Sequence, residues 1–269
     1  MKLVIYKLCF YILVGTFISI NVFADSALSA PKKTVTLVYE VKSNPPYYLG
    51  KRTIDWKKPG ITLEVLKRLE KKLNIRIAFE RFPWARGLTM VKNNTVDGIF
   101  HASFLKERIE IGDYPMNKGE LDLSRQLMTQ SYVLYKLKDS TLSWDGKAFE
   151  HLNGSIGAVI KYSIVDDLKQ MNVNVEEVTT QRSNLRKLLL GRIEGVAGLE
   201  AMNDIIIKAN PDEFREVVKV FPPIKSKPFF LMLSHEFVKE NTKLAEAIWN
   251  AIRDIRESGE YDKIAKKYH

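Results

Sequence analysis

Cysteine is almost absent from this 269-residue chain: the only one, Cys9, lies in an apolar N-terminal segment. Beyond that segment no disulfide can form and no thiol can serve as nucleophile or metal ligand, so a buried core has to hold the fold together. Histidine is scarce too. His101, His151, His235 and His269 show no metal-ligand spacing, such as two residues four apart on a helix. Neither G-x-S-x-G nor a phosphate-cradling G-x-x-x-x-G-K-[ST] occurs. After residue 24 there is no run of 18 apolar residues. The neighbouring carboxylates Asp166-Asp167 and Glu176-Glu177 read as surface decoration rather than an acid/base pair. No catalytic constellation, metal or cofactor is expected.

The first two dozen residues form a targeting segment. Lys2 and Lys7 precede an apolar run over 8–23, and Val22-Phe23-Ala24 places small residues at −3 and −1 of a cut after Ala24. This reads as a cleaved secretory signal peptide over 1–24, the alternative being a retained membrane anchor. Without Lys2 and Lys7 the chain carries 40 basic and 32 acidic residues, a net charge of +8. The lysines are scattered and paired with glutamates along helical stretches, as in Glu70-Lys71-Lys72. Together with export, that argues against a nucleic-acid partner and for a solvated surface.

Along the rest of the chain, residues 25–33 read as a loose leader. Residues 34–41 (TVTLVYEV) alternate as a strand, and 43–50 form a rigid turn carrying Tyr47 and Tyr48. Residues 60–74 form an amphipathic helix with Ile61, Val65, Leu66, Leu69 and Leu73 on one stripe. A strand over 75–82 follows, then a helix opened by Pro83-Trp84-Ala85-Arg86, then an apolar strand from Val96. A strand–helix–strand–helix–strand series with short links predicts an α/β layer with a largely parallel sheet, whose ligands sit beyond the C-terminal strand ends. A second such unit is predicted from strands at 154–160, 173–178 and 193–199, with helices at 164–171 and 183–190, the latter with Ser183 as N-cap. A strand over 131–138 precedes it. The tail offers an extended link at 221–224, a strand at 229–233, a long helix over 242–258 and a short last helix over 261–268.

The stretch 96–108 (VDGIFHASFLKER) draws attention because it turns polar at its C-terminal end. Ser103 and Arg108 supply a hydroxyl and a two-pronged guanidinium suited to a carboxylate. A faint echo recurs 97 residues on: 88–100 reads LTMVKNNTVDGIF and 185–197 reads LRKLLLGRIEGVA. Two similar lobes, each with a binding edge at its strand ends, suggest a ligand held between them.

Taken together, Asn44-Pro45-Pro46-Tyr47, the Gly60 helix, Asp97-Gly98 leading to Lys106-Glu107-Arg108, the 154–163 segment, Gly191-Arg192-Ile193-Glu194 and the tail Ser258-Gly259-Glu260-Tyr261-Asp262-Lys263-Ile264 resemble the periplasmic solute-binding proteins of polar amino-acid type, extracellular solute-binding family 3. The resemblance spans nearly all of the chain after residue 24. It implies an α/β, two-lobed type II binding-protein fold with two hinge-crossing strands and a cleft between the lobes. Lobe one would comprise 34–126 and 223–269, and lobe two 127–222. By position, Arg108 matches the arginine that grips a ligand α-carboxylate, Ser103 a serine of the same pocket, and Ser163 with Tyr162 the hydroxyl donors of lobe two. Tyr47, Trp84, Arg86 and His101 are further candidate contacts. Trp84 is either a stacking platform or a core aromatic, and Arg86 either a ligand group or a surface residue.

One departure stands out. The acidic residue that pairs with the ligand amine in amino-acid binders is replaced here by Leu199. Its neighbour Glu200 would point to the opposite face by strand alternation unless a bulge turns it inward. The expected function is capture of a small polar, carboxylate-bearing solute by a monomeric periplasmic protein that delivers it to an inner-membrane ABC permease. The alternatives are presentation of the ligand to a membrane sensor protein, or a dehydratase on the same scaffold with Glu200 as general acid.

Overall fold

Alternating apolar residues over 34–40 and a continuous apolar run from Ile99 make strands that are buried on both faces, which requires helices on either side. The computed structural model describes residues 32–50 and 52–268. The signal peptide expected over 1–24 and most of the 25–33 leader lie outside the described residues.

The chain opens as β1 (Thr34–Glu40), α1 (Ile61–Leu73), β2 (Arg76–Phe82), α2 (Trp84–Lys92) and β3 (Gly98–Ser103). A 3₁₀ turn at Lys106–Glu110 and a small hairpin, β4 (Met116–Asn117) with β5 (Glu120–Leu121), lead to the long β6 (Met128–Leu137). A second hairpin, β7 (Ser143–Trp144) with β8 (Phe149–Glu150), precedes β9 (Ile156–Val159), α3 (Ile164–Gln170), β10 (Val175–Val178), α4 (Gln181–Leu189), β11 (Gly195–Leu199) and α5 (Glu200–Lys208). The 17-residue β12 (Val217–Leu233) returns the chain to α6 (His235–Glu240), α7 (Thr242–Glu257) and α8 (Glu260–Ala265).

Eight strands form one sheet in the order β10-β9-β11-β6-β12-β3-β1-β2. Its two ends are parallel units, β2-β1-β3 and β10-β9-β11. They are joined by an antiparallel pair, β6 and β12, the two crossing strands that the family resemblance implies; the strand–helix periodicity alone indicated only the parallel units. The N-terminal part of β12 pairs with β6 and its C-terminal part with β3, so both strands cross from one half to the other. The expected 221–224 link is the point inside β12 where its register against β6 breaks, between Val220 and Lys225.

The sequence echo has a structural counterpart. α2 and β3 recur as α4 and β11 at the same offset of 97 residues. The glycine that opens each strand has a packing reason. A Cβ on Gly98 would stand 2.7 Å from the Met232 carbonyl oxygen, and one on Gly195 would stand 2.7 Å from Leu134 Cδ1. The preceding Asp97 closes the strand start by accepting from the Thr36 N–H at 2.6 Å. Because a backbone carbonyl cannot rotate away as a side chain can, Gly98→Ala is expected to cost about 1–3 kcal/mol, read as a lowered urea midpoint with an unchanged slope.

The C-terminal helices pack on α1. α7 buries Ala245, Ile248, Trp249, Ala251, Ile252 and Ile255, and Trp249 Nε1 donates to the Leu231 carbonyl at 2.8 Å, tying the helix to β12. One detail differs from expectation. α4 starts earlier than predicted, and Thr180, not Ser183, caps it; the Thr180 hydroxyl accepts from the Ser183 N–H at 3.1 Å. Among the described residues no helix is long and apolar enough to cross a membrane.

Candidate ligand-binding cleft

The C-terminal ends of β1, β3, β9 and β11 converge on the β6–β12 ribbon, the place where open α/β sheets hold ligands. A small cavity opens there. Glu40, Asn44 and Tyr48 enter from β1 and the turn after it, Trp84 from the start of α2, and His101, Ser103 and Arg108 from β3 and the 3₁₀ turn. Gln130, Tyr132 and Phe229 form the ribbon side. Tyr162 and Ser163 follow β9, and Leu199 ends β11.

Arg108 is only 4 % exposed. Its Nη1 donates to the Ser103 carbonyl at 2.8 Å and to Ser103 Oγ at 3.1 Å, and its Nη2 donates to the Lys161 carbonyl at 2.7 Å. The guanidinium lies 5.6 Å from the centre of the Trp84 ring, within cation–π range. Trp84 Nε1 donates to the same Lys161 carbonyl at 3.2 Å, and Ser103 Oγ donates to Ser163 Oγ at 2.7 Å. Three groups from the β1–β3 half thus hold one turn of the other half, residues 161–163, in which Lys161 takes a left-handed backbone (φ 62°). Behind that turn the buried Lys227 of β12 is ion-paired to Asp167 of α3 and donates to the Ser163 carbonyl at 3.3 Å. Burial holds the Lys227 ammonium below the ordinary lysine range despite that partner.

A carboxylate shares this cavity with the guanidinium. Glu40 is 8 % exposed and accepts from the Trp84 N–H and the Lys42 N–H, each at 3.2 Å. Burial raises its pKa above the ordinary glutamate value, and those backbone bonds only partly offset the shift. Burial also raises the phenols of Tyr48, Tyr132 and Tyr162, Tyr132 to about 12, so all three remain neutral hydroxyls. His101 sits at an irregularity of the β3–β12 pairing with φ 65°, and burial pushes its imidazole down to about 3.

Of the residues singled out from sequence, Arg108, Ser103, Trp84, His101, Tyr162 and Ser163 line this one cavity. Tyr47 stands behind it, its ring 5.5 Å from that of His101, and the adjacent Tyr48 takes the lining position. Arg86 lies exposed on α2 with its guanidinium 4.8 Å above the Phe82 ring. Glu200 opens α5 and pairs with Lys219 at 2.8 Å, while Leu199 faces the cavity, so no bulge turns Glu200 inward. Glu40 and Gln130 were not singled out, and Asn44 only as part of the Asn44-Pro45-Pro46-Tyr47 motif. The one usable signal was Glu40, the single charged residue of β1, closing its buried C-terminal end beside the Asn44-Pro45-Pro46 turn. Among the described residues no three His, Cys, Asp or Glu side chains gather as a metal site.

The chain is similar to known proteins over most of its length. A probable histidine-binding protein of Neisseria gonorrhoeae is 22% identical over 244 residues, covering 89% of this chain and 86% of the relative. A histidine kinase sensor domain with similarity to periplasmic binding proteins superposes with a TM-score of 0.71 at 15% identity, covering 88% of this chain and 96% of that one. An ancestral arginine-binding protein bound to arginine gives 0.68 at 18% identity, covering 88% and 98%. At such identities the structures establish the fold, which is the two-lobed one of periplasmic binding proteins. The sequence model of the bacterial extracellular solute-binding proteins, family 3, matches residues 37–269, and the chain belongs to that family.

Proposed function

We propose that this protein is a periplasmic receptor that closes on a small zwitterionic solute, an amino acid or close analogue, and delivers it to an inner-membrane ABC permease. The observation that carries the reading is one buried cavity holding both a guanidinium, Arg108, and a carboxylate, Glu40. A carboxylate on the solute takes the two-pronged guanidinium, displacing the Lys161 carbonyl from Nη2. The solute's ammonium takes Glu40, which does the work that an acid at Leu199 would otherwise do. Ser103, Ser163 and Tyr162 add hydroxyl contacts, and Trp84 covers the guanidinium.

Lobe one comprises 34–126 and 223–269 and lobe two 127–222, with β6 and β12 as the hinge. The signal peptide over 1–24 directs export, and the mature protein acts as a monomer without cofactor. The bonds from Trp84, Arg108 and Ser103 to the 161–163 turn hold the lobes together, so solute entry requires them to part. The reading is of a binding protein, not an enzyme. With Glu200 paired to Lys219 outside the cavity, the residue named as general acid in the dehydratase alternative is not in the cleft. Presentation of the solute to a membrane sensor is the second reading, favoured by the superposition on a histidine kinase sensor domain.

A thermal-shift screen of amino acids, organic acids, small peptides and sugars tests the reading. A solute at about a hundred times its Kd adds roughly 2.7 kcal/mol of stability, about 5–10 °C for a chain of this size. Shifts are expected among the amino acids. A shift with sugars alone, or with nothing in the panel, would overturn it.

A further inference from the structure

Three polar atoms in the cavity wall have no partner: Asn44 Oδ1, Gln130 Nε2 and His101 Nδ1. Their residues are 1 %, 6 % and 6 % exposed, and all three line the same cavity. A buried polar atom left unpaired is costly, and such atoms on residues that line a binding cavity are candidates for a ligand to satisfy. They are not scattered. Asn44 Nδ2 donates to Gln130 Oε1 at 3.2 Å, so the two amides share one hydrogen bond and leave one acceptor and one donor bare. Turning both amides over exchanges which residue supplies which, but leaves the same two demands.

His101 adds a third position. Its Nε2 is engaged with Thr62 Oγ1 at 2.8 Å, and the pairing irregularity and positive φ hold the ring where it lines the cavity. A non-glycine residue in the left-handed region carries a backbone cost, which persists at functional sites. Neither amide carries charge, and the imidazole is neutral in its apolar surroundings of Tyr47, Tyr48 and Phe229.

We propose that Asn44, Gln130 and His101 form a neutral specificity subsite that reads a primary carboxamide on the solute. A carboxamide offers an oxygen to the free N–H and an N–H₂ to the free oxygen at one planar group, so it meets both demands together. A second carboxylate finds no cation here, and an apolar side chain of the same length leaves the atoms unpaired. This inference rests on the proposed binding of a zwitterion by Arg108 and Glu40, and it specifies what the rest of that solute is. A site built to hydrogen-bond a group discriminates strongly against isosteres that lack it.

The test is calorimetric titration of the purified protein with L-glutamine, L-asparagine, L-glutamate and L-methionine. At least one of the two amides is expected to bind 100-fold or more tightly than glutamate and methionine. In Gln130→Leu that preference is expected to fall at least 10-fold, with methionine binding retained as evidence that the Arg108 and Glu40 contacts are intact. If the wild-type protein binds methionine or glutamate as well as the amides, or Gln130→Leu folds and leaves the ratio unchanged, the carboxamide subsite is overturned while the zwitterion reading stands. If none of the four binds, the carboxamide subsite falls, and the thermal-shift screen of the full panel decides the zwitterion reading separately. The wild-type ratios decide the matter even if the variant does not fold.

Discussion

Replacing Arg108 with alanine is expected to weaken solute binding by roughly 10²- to 10³-fold. A buried solute carboxylate that loses its counter-charge costs about 3–5 kcal/mol, and each 1.4 kcal/mol is about a factor of ten in Kd. Arg108→Lys keeps the charge but not the planar fork, and should fall between the wild type and the alanine variant. The structure adds a second consequence. Because Nη2 also holds the Lys161 carbonyl, the alanine variant loses a bond that joins the two halves. Its unliganded form is therefore expected to sample more open arrangements, read as a larger radius of gyration by small-angle scattering. Unchanged solute affinity in Arg108→Ala would remove Arg108 from the site.

Glu40→Gln is expected to move stability and binding in opposite directions. The Glu40 carboxyl is raised by burial above its unfolded value. A raised group favours the folded state below its unfolded pKa, and that contribution is lost as pH rises through the folded pKa. At neutral pH the burial of this carboxyl is thus a liability to the empty protein. The amide removes it while keeping an acceptor for the Trp84 N–H, so the unliganded melting temperature at pH 7 should rise, by about 1 kcal/mol or 2–4 °C. That gain should vanish as pH falls below the ordinary glutamate range, where the wild-type carboxyl is itself neutral. Affinity for an amine-bearing solute should fall about 10- to 100-fold, the loss of a hydrogen bond to a charged group with its ion pairing. Calorimetry across pH 4 to 8 with and without solute measures both. A variant that is less stable and binds normally would mean that Glu40 only braces the start of α2.

Much of the frame behind these expectations was legible in the sequence. The apolar stripe of α1, the strand–helix alternation and the 97-residue echo are local periodicities, and local periodicity survives into structure. The Asp97-Gly98 pair was visible as a motif, although its reason, close approach to β12, was not. The antiparallel ribbon was harder to read, because β6 and β12 pair across a long separation and a register break hides the continuity of β12.

The site was only half legible. Ser103 and Arg108 announce themselves by being polar immediately after a buried strand. Asn44 and Gln130, by contrast, stand 86 residues apart, each one polar residue among many, and only folding brings their amides together. Arg86 shows the converse: a charged residue next to a site residue in sequence, yet turned to solvent on the far side of a helical turn. Position 199 was read from the family resemblance, but the residue proposed to replace it was not. On the proposed reading the acid comes from the end of β1, in the other half of the sheet, where no count along β11 could find it.

The most direct measurement of the central claim is titration with a matched set built on one solute that binds: the free amino acid, its N-acetyl derivative and its C-terminal amide. The first carries both charges, the second lacks the ammonium and the third lacks the carboxylate. The account expects the free amino acid to bind and each derivative to lose at least 100-fold. If the C-terminal amide binds as tightly as the free acid, Arg108 does not grip a carboxylate and the central claim is contradicted.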